Sequence, residues 1–221
     1  MTEAQKKIAR PKCKCLLELY READFIIDDE SYFTFANTSL FGNNVYYSND
    51  PKSAPDTVKY RFKAKLEPKL LVWMAISPRG VCRPFFVQKN LAINSEIYLQ
   101  NCIKKRLIPF IKEYYSDNKY VFWPDLATSH YANIVQNYLK SENINFVAKR
   151  DNPANVPKAS PIEDFWACLK QKVYKGNWCA KNIEELKKRI QSCLRDMDPK
   201  FVQDLAYQVN KRLDKIRRYG I

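Results

Sequence analysis

The chain has 221 residues, with 38 Lys+Arg against 24 Asp+Glu and a formal net charge of +14. An apolar fraction of 46% and an aromatic fraction of 14% exclude a wholly disordered chain, and only 4 glycines exclude a collagen-like one. No apolar run approaches the roughly 18 residues of a membrane span, and the N-terminus MTEAQKKIARPK has no signal-peptide core, so the expectation is a soluble basic protein with no membrane partner and a polyanionic one, nucleic acid first.

Residues 1–24 are charged and mixed, and read as a lead-in helix or linker. FIIDDESYF (25–33) reads as a strand, and VYYS (45–48) as a short second one before the turn-rich NDPKSAPD. KLLVWMAIS (69–77) is the best strand signal, and PRG turns it into VCRPFFVQ (81–88), where Pro84 argues for an edge position. From Asn94 to Tyr115 apolar residues recur at helical spacing, with Pro109 expected to kink or interrupt the helix. YVFW (120–123) reads as a buried strand, 130–142 as a helix and INFVAKR (144–150) as another strand. DNPANVPKASP (151–161) is a long loop, followed by helices at 162–175, 182–198 and 200–218. This order predicts a mixed α/β sheet, antiparallel first and parallel after the crossovers.

Seven cysteines without a CxxC pair and a single histidine leave no Cys/His zinc site and no HExxH motif. Any catalytic metal is therefore expected on carboxylates. Asp29, with Asp28 and Glu30 beside it, follows an apolar run; Asp125 lies just past YVFW; Glu163 opens a helix. Acids at strand and helix ends suit hard cations acting on phosphate, two of them in the two-metal arrangement. Each also has a plainer reading. Asp29 ends a strand, Asp125 starts a turn, and Ser160-Pro161-Ile162-Glu163 matches a capping box with Pro at the first helical position.

FIIDDESYF, WPDLATSH and NVPKASPIEDFWACLKQKV, in this order, resemble the catalytic core of mariner-type (Tc/mariner superfamily) DDE transposases, and VWMAIS resembles that family's central strand. The resemblance covers roughly residues 15–175. It implies Asp29, followed by Glu30, as the first acid, Asp125 as the second, with His130 closing its motif, and Glu163, with Pro161, Ile162 and Trp166 around it, as the third. Asp125 and Glu163 are separated by 37 residues. Leu126 stands where the family has Asn, and DNPANVPKAS replaces the family's Gln-Ser-Pro-Asp loop. Only 28 residues precede Asp29, so a core lacking the N-terminal helix-turn-helix region is expected, whether a fragment, a decayed copy or a domesticated one.

The resemblance implies a ribonuclease-H-like fold with a helical C-terminal extension: lead-in 1–24, catalytic core 25–176, extension 177–221. It implies a nuclear enzyme that performs metal-dependent DNA cleavage and strand transfer. Asp29, Asp125 and Glu163 would bind two Mg2+ or Mn2+ ions, with Glu30 and His130 as auxiliaries. Its partners would be double-stranded DNA, as transposon ends and target, and a second copy in a homodimer. The alternatives are a non-catalytic DNA-binding protein that kept the fold, and a ribonuclease-H-type nuclease. Lys187, Lys188, Arg189, Lys211, Arg212, Lys215, Arg217 and Arg218 are the candidate nucleic-acid contacts, with a solvated helix face as the plainer reading.

Overall fold

Strand β1 (Asp24–Thr34) organises the molecule, because successive side chains of a strand point to opposite faces. In the computed structural model, which describes residues 3–35, 49, 50, 52, 68–87, 92–153, 156 and 159–220, Phe25, Ile27 and Phe33 face one core and Ile26 faces the other. β2 (Lys69–Ser77) pairs antiparallel with β1, from Ile27 opposite Ile76 to Thr34 opposite Lys69. β5 (Tyr120–Trp123) pairs parallel with β1, from Asp24 opposite Tyr120 to Ile27 opposite Trp123. Two short strands, β3 (Gly80–Val81) and β4 (Phe85–Phe86), line the other edge of β2, and the sheet order is β3-β2-β1-β5 with β4 also on β2.

The hairpin expected at PRG forms, with Ser77 opposite Gly80 at its mouth. Gly80 takes φ 144°, which an L side chain rarely adopts. Pro84 falls in the break between β3 and β4, where no ladder donor is needed. Two expectations change. INFVAKR makes a single parallel bridge, Phe122 to Phe146, rather than a strand. The 200–218 helix divides at Tyr207 into Pro199–Ala206 and Gln208–Tyr219. VYYS lies outside the described residues.

Pro109 does not break its helix. Ser95–Ile97 runs into a π-helical stretch, Tyr98–Leu107, which continues as the α-helix Ile108–Tyr114. Pro109 stands where the π-helical hydrogen-bond register gives way to the α-helical one. This helix covers the β1 face that carries Ile26, burying Tyr98, Leu99, Cys102, Ile103 and Leu107 against Trp73 and Phe122.

The other face is covered by helix Ile162–Val173 and the C-terminal helices Ile183–Arg195, Pro199–Ala206 and Gln208–Tyr219. The N-terminal helix Glu3–Leu19 packs on Gln208–Tyr219. Ala9, Cys13 and Leu16, one helical stripe, join the same core as Leu213 and Ile216. The helices Glu3–Leu19 and Gln208–Tyr219 thus both contribute to this core, and Arg10 donates to the backbone carbonyls of Arg217 and Arg218. Among the described residues, no helix is long and apolar enough to cross a membrane.

Candidate active site

The parallel pairing of β1 with β5 ends at Ile27 and Trp123, so Asp28 and Asp29, midway along β1, and Asp125 meet just beyond the carboxyl end of β5. Helix Ile162–Val173 packs against β1 and brings Glu163 to the same place. Asp29, Asp125 and Glu163 line a single cleft of about 420 Å³, together with Trp123, Leu126 and Asn152. Acids far apart in sequence thus share one opening.

Helix geometry explains how Asp29 and Glu163 face each other. Trp166, one turn after Glu163, donates its indole N–H to Asp29 Oδ2 at 3.0 Å. Burial pushes the Asp29 carboxyl from 3.8 up to about 7, against the pull of the Glu30 backbone amide and with added repulsion from Glu163, Glu30 and Asp28. The capping reading of Glu163 does not hold. Pro161, not Ser160, is the N-cap residue of this helix, and no side chain caps its amino end. Arg212 instead reaches across from the last helix to the Ser160 carbonyl and the Asp164 carboxylate.

Asp28 and Asp29 stand on opposite faces of β1, and both border the cleft. Asp28 is 3% exposed. It accepts hydrogen bonds from Trp73 Nε1 at 2.9 Å, Tyr98 OH at 2.6 Å and the Asp125 backbone N–H at 3.2 Å. Burial raises its pKa, while His130 and the Tyr98 and Trp73 donors oppose that rise. Glu30, on the same face, hydrogen-bonds His130 Nε2 at 3.0 Å. His130 is buried and stacks on Tyr98, ring centroids 3.9 Å apart. Burial alone would lower the His130 pKa, but Asp28, Glu30 and Asp125 outweigh it and raise it to about 9.

Three residues near the cleft carry roles that the motifs did not indicate. Asn152 is buried; it accepts from Trp123 Nε1 and donates to the Pro124 carbonyl and Tyr131 OH. Lys170, two turns beyond Glu163, has its ammonium 5.5 Å from the Phe33 ring centroid. Burial lowers its pKa, opposed by Glu163 and Asp29. Helical periodicity from Glu163 through Trp166 to Lys170 is the signal that would have found it. Asp28 was legible in strand alternation, since it shares the face of Ile26.

An all-oxygen donor set suits a hard divalent cation. Among the described residues, however, no group of three or more His, Cys, Asp or Glu side chains is already gathered to hold a metal ion. The expected convergence of the three acids is realised as a shared cleft, not as an assembled ligand set.

The basic residues divide into engaged and free. Arg189 donates to the carbonyls of Val173 and Lys172 and lies over Trp178. Lys187 pairs with Glu184, Arg212 with Asp164, and Arg217 and Arg218 with Asp214. Lys188, Lys211 and Lys215 are exposed.

No protein-family model matches the chain. Transposable element Tc3 transposase of Caenorhabditis elegans is 27% identical over 201 residues, covering 83% of this chain and 59% of Tc3 transposase. The chain thus spans about three fifths of that relative's length. The crystal structure of the catalytic domain of Mos1 mariner transposase superposes with a TM-score of 0.72 at 17% identity, covering 99% of this chain and 94% of that one. The Mos1 mariner paired-end complex with Mn gives 0.79 at 19% identity, covering 100% of this chain and 65% of that one. The fold is that of the Mos1 catalytic domain, a ribonuclease-H-like mixed sheet flanked by helices.

Proposed function

We propose that this chain, which its Tc3 relative and its Mos1-like fold mark as a mariner-type transposase catalytic core, cleaves and rejoins DNA at the cleft between β1, β5 and helix Ile162–Val173. The observation that carries the reading is the meeting of Asp29, Asp125 and Glu163 in that one cleft. Mos1 structures with Mn and with Mg support divalent-metal use.

Asp29, Asp125 and Glu163 would hold two Mg2+ or Mn2+ ions. When bound, such ions supply charge neutralisation at the phosphate and lower the pKa of an attacking water or 3′-hydroxyl. The chain's own residues set the stage for this. Trp166 orients Asp29, the Glu30–His130 pair fastens the loop after Asp125, and Lys170 adds a cation beside the acids. DNA enters as transposon ends and target, which places the protein in the nucleus, acting as a dimer on paired ends.

Thermal melting and nicking test this. Mn2+ should raise the melting temperature by binding only the folded state, and Asp125→Asn should remove most of the rise. Weak nicking of supercoiled DNA in Mn2+ should disappear in Asp29→Asn and in Glu163→Gln, which keep size and remove charge. A parent protein that neither shifts nor cuts with either cation would leave a DNA-binding protein of the same fold.

A further inference from the structure

Asp28 is a buried acid that the proposed chemistry does not use. All three of its hydrogen-bond partners donate to it, and they come from three separate parts of the fold. Trp73 on β2 and Tyr98 at the start of the π-helical stretch both bind Oδ2, which leaves Oδ1 to the backbone N–H of Asp125. The 2.6 Å contact from Tyr98 is in the range of a charge-assisted bond. Tyr98 is itself held flat against His130, and His130 is tied to Glu30. Two residues on one face of β1, Asp28 and Glu30, therefore grip the two ends of the loop from Asp125 to His130. Between them, on the opposite face, stands Asp29, and Asp28 and Asp29 both border the cleft.

We propose that Asp28 is a positioning residue: its fixed carboxylate holds the Asp125 backbone and so sets where the Asp125 side chain stands relative to Asp29. Pro124 and Asn152 support the same turn from the other side, through the bond from Asn152 Nδ2 to the Pro124 carbonyl. The Asp125 side chain itself is exposed, so the backbone anchor at Asp28 orients a residue whose own side chain is not packed. π-helical turns are rare and frequent at functional sites, and here the π-helical stretch begins at Tyr98, which reaches Asp28. The proposal rests on the reading of Asp125 as a metal ligand, and the experiment separates the two.

Asp28→Asn keeps the volume but replaces one acceptor by a donor. Its carbonyl will turn to the Trp73 and Tyr98 donors, leaving an amide donor against the Asp125 N–H. Two readouts apply to the full chain. Hydrogen exchange at the Asp125 amide should accelerate at least about tenfold, while the β5 amides keep their protection. The Mn2+ concentration giving half the maximal melting shift should rise about 10- to 100-fold, the range seen when residues that orient metal ligands are removed. A folded Asp28→Asn protein with an unchanged Asp125 amide, or with a metal midpoint within about twofold of the parent, overturns the proposal. If Asp28→Asn does not fold, Tyr98→Phe replaces it. That change keeps the His130 stack and removes one donor, and it should shift both readouts in the same direction by less; no change at the Asp125 amide overturns the proposal. Should Asp125→Asn leave the metal midpoint of the parent unaltered, the metal reading fails instead, and the amide exchange alone upholds or overturns the Asp28 anchor.

Discussion

Asp28 and Asp29 carry the same side chain one residue apart, and the sheet gives them opposite duties. One is enclosed by donors; the other lines an open cleft under the repulsion of Glu163. The sign of the Asp29 shift has a consequence for metal binding. Its folded pKa, raised from 3.8 to about 7, contributes stability that is fully present below about 3.8 and lost as pH rises through about 7. A cation should take over as the proton leaves, so the melting shift from Mg2+ should be larger at about pH 8 than at about pH 6, and Asp29→Asn should abolish the difference. His130 follows the same sign at higher pH. Its folded pKa is raised from 6.5 to about 9, so its contribution is complete below about 6.5 and disappears as pH passes about 9. Melting curves in EDTA should fall across that interval. His130→Gln should be less stable at pH 6 and flatter above it, because Asp28 and Glu30 lose the imidazolium that offsets their repulsion.

At the scale of elements, the cleft is held by clamps from distant parts of the chain. Asn152 joins the 151–161 loop to the end of β5 through Trp123, Pro124 and Tyr131, and Lys12 of the N-terminal helix donates to its carbonyl. Asn152→Ala leaves one buried donor, the Trp123 indole, and two acceptors, the Pro124 carbonyl and the Tyr131 hydroxyl, without this partner, and should lower stability by about 2–3 kcal/mol in denaturant titration. Arg212 clamps the amino end of the Glu163 helix to the last helix. Asp164 is largely exposed, so solvent screens the ion pair, and Arg212→Ala should cost only about 0.5–1 kcal/mol. Its nicking rate should fall more than that loss of stability explains, because the start of the Glu163 helix loses its tether.

For the whole molecule, the charge of +14 predicts DNA affinity dominated by phosphate contacts and steeply dependent on salt. The cations are not equivalent. Arg189, Arg212, Arg217 and Arg218 are engaged within the fold, whereas Lys188, Lys211 and Lys215 are exposed on two C-terminal helices. Replacing these three lysines by Glu should reduce the slope of log affinity against log salt by up to about 3 if both helices lie on DNA. Fluorescence anisotropy on a duplex across a salt series measures it, and an unchanged slope would place the DNA elsewhere on the surface.

The strand character of FIIDDESYF, KLLVWMAIS and YVFW, the C-terminal helices and the three acids in family-like surroundings are legible one segment at a time, because alternation, periodicity and short motifs are local properties. Strand alternation puts Asp28 and Asp29 on opposite faces; what each face meets came from the tertiary structure, Trp73 and Tyr98 donors for Asp28 and the Trp166 indole for Asp29. The tertiary structure also left the amino end of the Glu163 helix without a side-chain cap and held by Arg212, and it gave candidate arginines acidic neighbours, Asp164 for Arg212 and Asp214 of their own helix for Arg217 and Arg218. Pro109, expected to kink or interrupt its helix, stands at the junction of the π-helical and α-helical segments, and the helix runs on through it. Charges and prolines are recorded one residue at a time in a sequence. Their partners are chosen by packing between segments as distant as Ser160 and Arg212, and packing is what a one-dimensional pattern does not contain.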